Sequence, residues 1–511
     1  MTAENAKWET PLISAYNTGN FNNAKFLLSR GTPDPYNVAG KISEHEEQQV
    51  ADTKKTEATS NISKNLKIIG GTAAVAGGVV AGIALSGGGG NSASPAGRIN
   101  YPSSTAIDCG SGSGGHPEAC TATDFVTTEA TAQEGFVAMN TQYAFAHGYD
   151  GSIYNRASNG TLLDEVADGS VLVGVIDSGI DLTHPDLNSN IRADLAVTCT
   201  TAGCVAGGDD IQGHGTEVAG IIAAERNSIG MHGIAPKAKL IPISTIGVSG
   251  GSIATALKYA NDNAAQVVNN SYGLIYGSGD TEAVPIIDAT GPVIATYHPA
   301  GTYTAYTPAN LRTALTTTDG LSTLLTEFQK AATDGRIMVY SAGNSALNQV
   351  AVLAGLPLYF QGAAAPSGIT QPNYDIVNPA HYDWKSIWVA SVSLKDDNTI
   401  SSFSNKCGAA KEWCLATPGE IATSTQMGGT FSGAINGTSF SAPNVTGAIA
   451  VMLGAYPQLS PQRALQIIFD TATDLGTAGT DDIYGRGLVN LQKATDPTLE
   501  RTRNRGRCDI K

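Results

Sequence analysis

The chain has 511 residues, enough for two or more folded parts. Its 45 acidic side chains outnumber 30 basic ones for a net charge of −15. That balance speaks against nucleic acid as a partner, because a polyanion would be repelled.

In chain order, residues 1–40 read as a short helical segment. Thr10-Pro11-Leu12-Ile13-Ser14-Ala15, Gly19-Asn20, then Ala24-Lys25-Phe26-Leu27-Leu28 and Gly31 put apolar residues at helical spacing in two short helices. The pattern resembles a single ankyrin repeat. One repeat cannot bury its own face, so the segment is either a plain amphipathic hairpin or a docking element completed by a protein partner. Residues 41–65 turn polar and charged and read as a solvated linker. Residues 66–86 contain IIGGTAAVAGGVVAGIAL, without a charge from 68 to 85. This length reaches the threshold for a transmembrane helix, while its Gly and Ala content also suits a soluble small-residue linker. Lys54, Lys55, Lys64 and Lys67 precede the run and no basic residue follows before Arg98. A span here would leave the N-terminus cytoplasmic and carry the rest across the membrane. Residues 87–147 are rich in Ser, Thr, Ala and Gly and read as a low-complexity linker or pro-region, with no convincing folded pro-domain.

From Gly148 the pattern changes. Apolar strand candidates (171–176, 239–244, 266–271, 336–340, 387–392) alternate with helical runs (218–225, 252–263, 441–453, 461–472). The alternation predicts an α/β fold with a parallel sheet flanked by helices on both faces. The strands lack polar alternation, as expected when both faces are covered. Asp177 ends the first strand, at the carboxyl edge where α/β proteins build their sites. His214 opens a helical run between Gly213 and Gly215, and Ser439 begins another within Gly437-Thr438-Ser439-Phe440-Ser441-Ala442-Pro443. Alone, each has a bland reading: a turn aspartate, a capping histidine, a capping serine. Together they supply a nucleophile, a base for its proton and a carboxylate to orient that base.

The segments VIDSGIDLTHPDL, GHGTEVAGIIAA and NGTSFSAPNVTGAIA, in that order, resemble the signatures of the subtilisin-like (subtilase) serine proteases. The resemblance runs over 148–496, and Gly485-Arg486-Gly487-Leu488-Val489-Asn490 matches the closing segment. It implies a serine endopeptidase that needs no cofactor, with Asp177, His214 and Ser439 as triad. Asn344, after the strand 336–340, is the implied oxyanion-hole donor beside the Ser439 backbone N–H. The implied substrate is a polypeptide, paired between Ser271-Tyr272-Gly273, continuing one strand, and Gly250-Gly251-Ser252, matched to a facing strand. Between Gly273 and Arg336 the chain departs from the family with a long insertion, expected to add a helix near 322–332. His184-Pro185-Asp186 and Asn227 to Met231 resemble the two halves of a structural calcium site, with Asp186 and Asn227 as side-chain ligands; an ordinary polar loop fits them equally. Asp209 and Asp210 either shape the electrostatics of the site or form a solvated acidic turn.

No cysteine precedes Cys109; Cys109 and Cys120, Cys199 and Cys204, and Cys407 and Cys414 then form three locally spaced couples, with Cys508 left over. Such couples read as disulfides of an exported protein, membrane-anchored or released by cleavage. Residues 497–511 form a tail with Arg501, Arg503, Arg505 and Arg507. Rival functions are a catalytically silent binding or adhesion module and a peptidyl transferase of the same family. An autotransporter passenger is disfavoured because no run of alternating β segments follows Ala494.

Overall fold

Runs of Val, Ile and Leu between 171 and 394 have no polar face to offer solvent, so they must be covered twice. A computed structural model of the chain shows how. The structure describes residues 121–156, 162–245, 250–273, 282–288, 291–297, 303–306, 321–357, 386–420 and 422–496.

Helices α1 (Thr128–Thr131), α2 (Glu134–Ala138) and α3 (Thr141–Ala146) come first, followed by β1 (Ser152–Arg156) and β2 (Leu162–Ser170). Then come β3 (Leu172–Asp177), the hairpin β4 (Val197–Thr200) and β5 (Gly203–Ala206), α4 (His214–Ala223), β6 (Lys239–Thr245), α5 (Gly250–Asp262) and β7 (Val267–Asn270). The insertion holds β8 (Glu282–Asp288), β9 (Gly291–Tyr297), β10 (Tyr303–Tyr306) and α6 (Leu321–Asp334). The rest is β11 (Ile337–Ser341), β12 (Trp388–Leu394), β13 (Cys414–Pro418), the hairpin β14 (Ala422–Gln426) and β15 (Thr430–Ile435), α7 (Thr438–Ala455), α8 (Pro461–Thr471) and α9 (Leu491–Ala494).

The 8-stranded sheet has the order β13-β12-β11-β7-β3-β6-β4-β5, and only the β4–β5 pair is antiparallel. Every residue of β7, β11, β12 and β13 is buried, as strands covered on both faces require. Register aligns the carboxyl ends: Ile176 sits opposite Asn270, which sits opposite Tyr340. Asp177, Ser271 and Ser341 therefore emerge at one edge of the sheet.

Helix α7 is apolar all round and belongs inside the molecule. Of its 18 residues, all but Ser439 are buried. Close packing is bought with small residues: a Cβ on Gly447 would stand 2.6 Å from the Cβ of Ile234, and one on Gly454 2.5 Å from the Ser152 carbonyl. Across the sheet, Trp388 stacks on Tyr340 at 5.0 Å and meets Phe328 of α6 edge-on at 4.9 Å.

Several expectations change here. The part of 87–147 that the structure describes, from Thr121 onward, is folded and not a low-complexity linker. Phe125, Phe136, Met139 and Phe145 are buried in the main core, Leu491 N donates to the Met139 carbonyl at 2.8 Å, and Gln133 Nε2 donates to Asn444 Oδ1 of α7 at 2.9 Å. His232 is buried against Phe136 and Phe145, and burial pushes its pKa down to about 4, so it is a neutral core residue. Gly250, Gly251 and Ser252 open α5 and are not a strand. Their sequence leads straight into Ile253, Ala254, Ala256, Leu257 and Ala260, all buried at helical spacing, and that face recruits the glycines into its first turn. The insertion adds the expected helix, and also a three-stranded antiparallel sheet, β10-β9-β8. Disulfides join Cys199 to Cys204 across the β4–β5 hairpin and Cys407 to Cys414. No described helix is long and apolar enough to cross a membrane. The ankyrin-like segment, the 66–86 run, Cys109, Cys120, the 497–511 tail and Cys508 lie outside the described residues.

Candidate active site at the carboxyl edge of the sheet

Asp177 and His214 meet at the end of β3. The carboxylate is buried; its Oδ1 accepts from Ser178 N at 2.7 Å and faces His214 Nδ1 at 2.8 Å. Since Oδ1 can only accept, Nδ1 carries the proton and Nε2 is left as the basic nitrogen. The approach depends on two glycines. Gly179 has φ 113°, and a Cβ on Gly215 would stand 2.0 Å from the Gly179 carbonyl oxygen. Burial disfavours a charged imidazole, but the charge and hydrogen bond of Asp177, joined by Glu217 and Asp210, outweigh it and lift the His214 pKa to about 9.

Ser439 stands on the other side of the site as the one unburied residue of α7. Its environment follows from Pro443. Proline has no N–H, so the carbonyl of Ser439, four residues earlier, has no partner within the helix. Ser271 Oγ takes that role, donating to the Ser439 carbonyl at 2.9 Å, while Ser439 Oγ donates to the Ser271 carbonyl at 3.2 Å. No Ser439–His214 hydrogen bond forms in this state; the neighbouring Phe440 ring lies 5.7 Å from the imidazole.

Asn344 is exposed just beyond β11 and is fixed by Thr438. Its Oδ1 accepts from Thr438 N at 2.8 Å and Thr438 Oγ1 at 2.9 Å, and Gly343 N donates to Thr438 Oγ1 at 3.0 Å. A backbone N–H can only donate, so the amide orientation is settled and Nδ2 remains unused beside the start of α7. Thr438 was not singled out from the sequence; its adjacency to Ser439 was the available signal.

Ser271, Tyr272 and Gly273 run on past β7, whose pairing ends at Asn270, and no described backbone pairs with them. The Tyr272 hydroxyl donates to Asn270 Oδ1 at 2.7 Å, which pins the segment. The structure does not bring Gly250–Ser252 opposite as a strand, and residues 246–249 lie outside those described.

Asp186 is fully buried, and neither carboxylate oxygen makes a well-formed hydrogen bond. Burial first, then the charges of Glu129 and Glu225, raise its pKa to about 8; Met231 N and the Asn227 side chain oppose the shift only in part. Asn227 Oδ1 is engaged by Ile229 N at 2.9 Å. Glu129 of α1 accepts from Asn227 N at 2.9 Å and Ser228 N at 3.0 Å. A buried carboxyl without a well-formed hydrogen bond, beside the carboxylates of Glu129 and Glu225, is oxygen-donor chemistry suited to calcium. No cluster of three or more His, Cys, Asp or Glu that could hold a metal occurs among the described residues. Glu129 lies almost a hundred residues from Asn227, so spacing gave no signal of it.

An open parallel sheet carrying an aspartate, a histidine and a helix-tip serine at its carboxyl edge defines a class of α/β hydrolytic enzymes. Residues 168–487 match the subtilase family model, and the chain belongs to this family of subtilisin-like serine proteases. It is 28% identical over 415 residues to an extracellular serine protease of Serratia marcescens, covering 72% of this chain and 34% of that protein. It is 30% identical over 329 residues to subtilisin E of Bacillus subtilis (strain 168), covering 64% of this chain and 65% of that one. The chain thus spans less than two thirds of these relatives. The solved prenylagaramide maturation protease PagA is 19% identical with a TM-score of 0.43, over 64% of this chain and 92% of that one.

Proposed function

We propose that the chain is a serine endopeptidase. The observation that carries this reading is the Asp177–His214 bond of 2.8 Å beside Ser439, the single unburied residue of an otherwise buried helix. On substrate binding Ser439 Oγ turns from the Ser271 carbonyl toward His214 Nε2, as hydrogen bonds in ligand-free sites commonly tighten only in the complex. Oγ attacks the scissile carbonyl as its proton passes to Nε2, and Asp177 stabilises the imidazolium. Asn344 Nδ2 and the Ser439 N–H receive the oxyanion. The imidazolium then protonates the leaving amine, and water hydrolyses the acyl-enzyme by the same route. The backbone of Ser271, Tyr272 and Gly273, which no described strand pairs, then pairs with an extended polypeptide.

Calcium, when bound, would neutralise the buried Asp186 and tie its loop together; Asp186, Asn227 and backbone carbonyls would hold it, with Glu129 as a further oxygen donor. Two disulfides and the extracellular relative favour an exported protease domain. The segment 66–86, uncharged from 68 to 85, would anchor it, and the ankyrin-like segment would dock a partner. Any cleavage that releases the protease falls before Thr121, because residues 121–149 are built into its core.

The test is a fluorophosphonate probe and denatured casein with purified protein, alongside Ser439→Ala. Labelling and cleavage by the parent alone are expected. A parent that is neither labelled nor active would overturn the reading.

A further inference from the structure

Asp210 lies four residues before His214, and its carboxylate is buried yet accepts five hydrogen bonds. Oδ1 accepts from Ser178 Oγ at 2.8 Å, Gln212 N at 2.9 Å and Gly213 N at 2.8 Å. Oδ2 accepts from Thr216 N at 2.8 Å and Thr216 Oγ1 at 2.5 Å. Ser178 Oγ in turn accepts from Gly215 N at 2.9 Å. All four residues within two positions of His214 are therefore tied to Asp210 directly or through Ser178. Ser178 is itself fixed to the sheet, its carbonyl accepting from Ser244 Oγ of β6 at 2.9 Å.

The Asp177–His214 bond constrains one ring nitrogen and cannot by itself set where the imidazole stands. That position is inherited from the backbone of residues 212–216. The first-turn N–H groups of α4 are donors that its helix leaves open, and a carboxylate there also complements the helix dipole. We infer that Asp210 is a positioning residue that locks the His214 backbone to the Asp177-Ser178 segment, so that carboxylate and imidazole form one rigid unit before substrate arrives. The inference rests on the triad reading above.

The same carboxylate adds negative potential at the imidazole together with Asp177 and Glu217, the other charged groups that act on it. Loss of Asp210 should therefore disturb both geometry and proton affinity. The experiment compares Asp210→Ala, Asp210→Asn and Ser178→Ala with the parent by steady-state kinetics, thermal melting and NMR titration of the His214 ring. Asp210→Ala should lower kcat about 100-fold with little change in KM, the scale of a roughly 1 Å misplacement. Asp210→Asn keeps the Oδ1 acceptor and should recover part of that loss, with the His214 pKa still below the parent's. Ser178→Ala removes a single link and should lower kcat about three- to tenfold, the worth of one hydrogen bond. A folded Asp210→Ala with kcat within about twofold of the parent overturns the inference. Should that variant not fold, parent-like kcat and parent-like ring titration in both Asp210→Asn and Ser178→Ala overturn it equally. Failure of the triad reading is distinguishable, because the parent would then escape the fluorophosphonate probe while the ring titration still reports the contact.

Discussion

The two halves of the site are held by different physics. Around Ser439 everything is neutral: Thr438, Asn344 and Ser271 exchange hydrogen bonds between amides, carbonyls and hydroxyls, and Pro443 frees the one carbonyl that Ser271 needs. Around His214 the holding groups are carboxylates, with Asp177 and Asp210 buried and Glu217 one helical turn along α4. Such neutral contacts are insensitive to pH, whereas charge in a poorly solvated setting sets proton affinity. The nucleophile half should therefore respond to mutation with altered rate alone, and the base half with altered rate and altered pH dependence.

Replacing Ser439 by Ala gives the largest expected effect, a loss of about 10⁶-fold in kcat, a magnitude known from subtilisin itself, with the residual turnover retaining substrate saturation. Steady-state kinetics at high enzyme concentration would check it. Asn344→Ala comes next, at about 10²–10³-fold in kcat, again a subtilisin figure. If the halves differ as described, its pH profile keeps the parent's shape. A profile displaced along the pH axis would break the comparison.

The pH profile itself is the third test. In the proposed mechanism only neutral His214 accepts the serine proton, and its pKa lies at about 9, above the ordinary 6.5. Accordingly kcat/KM should rise with pH up to about 9, and Glu217→Gln should move that limb to lower pH by removing one of the charges that raise it. A limb that levels off by neutrality in the parent would contradict it. Asp186 sharpens the contrast because its carboxyl is buried like Asp177 yet lacks well-formed bonds. Its native pKa of about 8 against 3.8 means the folded chain keeps a proton that the unfolded chain has lost between those values. Metal-free stability should fall as pH rises across that window. Calcium should reverse this, by about 2.7 kcal/mol at a hundredfold excess over Kd, and more at pH 9 than at pH 6 because the ligand must be ionised. Calorimetry of the parent and Asp186→Asn would show it, the variant losing both the slope and the calcium response. The smallest expected effect is that of Pro443→Ala. A new N–H would compete with Ser271 for the Ser439 carbonyl and lower kcat a few-fold, about the worth of one hydrogen bond, with no change in pH profile.

The elements that carry the proposed site were legible in the sequence where their pattern is contiguous. Asp177, His214, Ser439 and Asn344 each follow or open a run whose apolar pattern fixes its element, so position within the motif implied position at the sheet edge. The parallel strands were legible because burial on both faces leaves an unbroken apolar signature. What escaped was tertiary or short. Helices α1 to α3 have 4, 5 and 6 residues, too few for a helical period to register, and they exist because Ala130, Phe136 and Phe145 find a core contributed by distant segments. Gly250–Ser252 resemble a family strand, yet the apolar spacing that begins at Ile253 draws them into α5. The acceptance of five bonds by Asp210 could not be read either, since an acidic pair in a loop looks the same whether solvated or enclosed.

Helix α7 has one more consequence. The Ser439 hydroxyl rides on the tip of a rod that traverses the interior, with Gly447 at its middle and Gly454 near its far end seated closely against neighbouring atoms. A serine mounted this way has the whole remainder of its helix buried behind it. Heat should therefore leave turnover intact until the whole interior melts, and inactivation should coincide with global loss of structure rather than precede it.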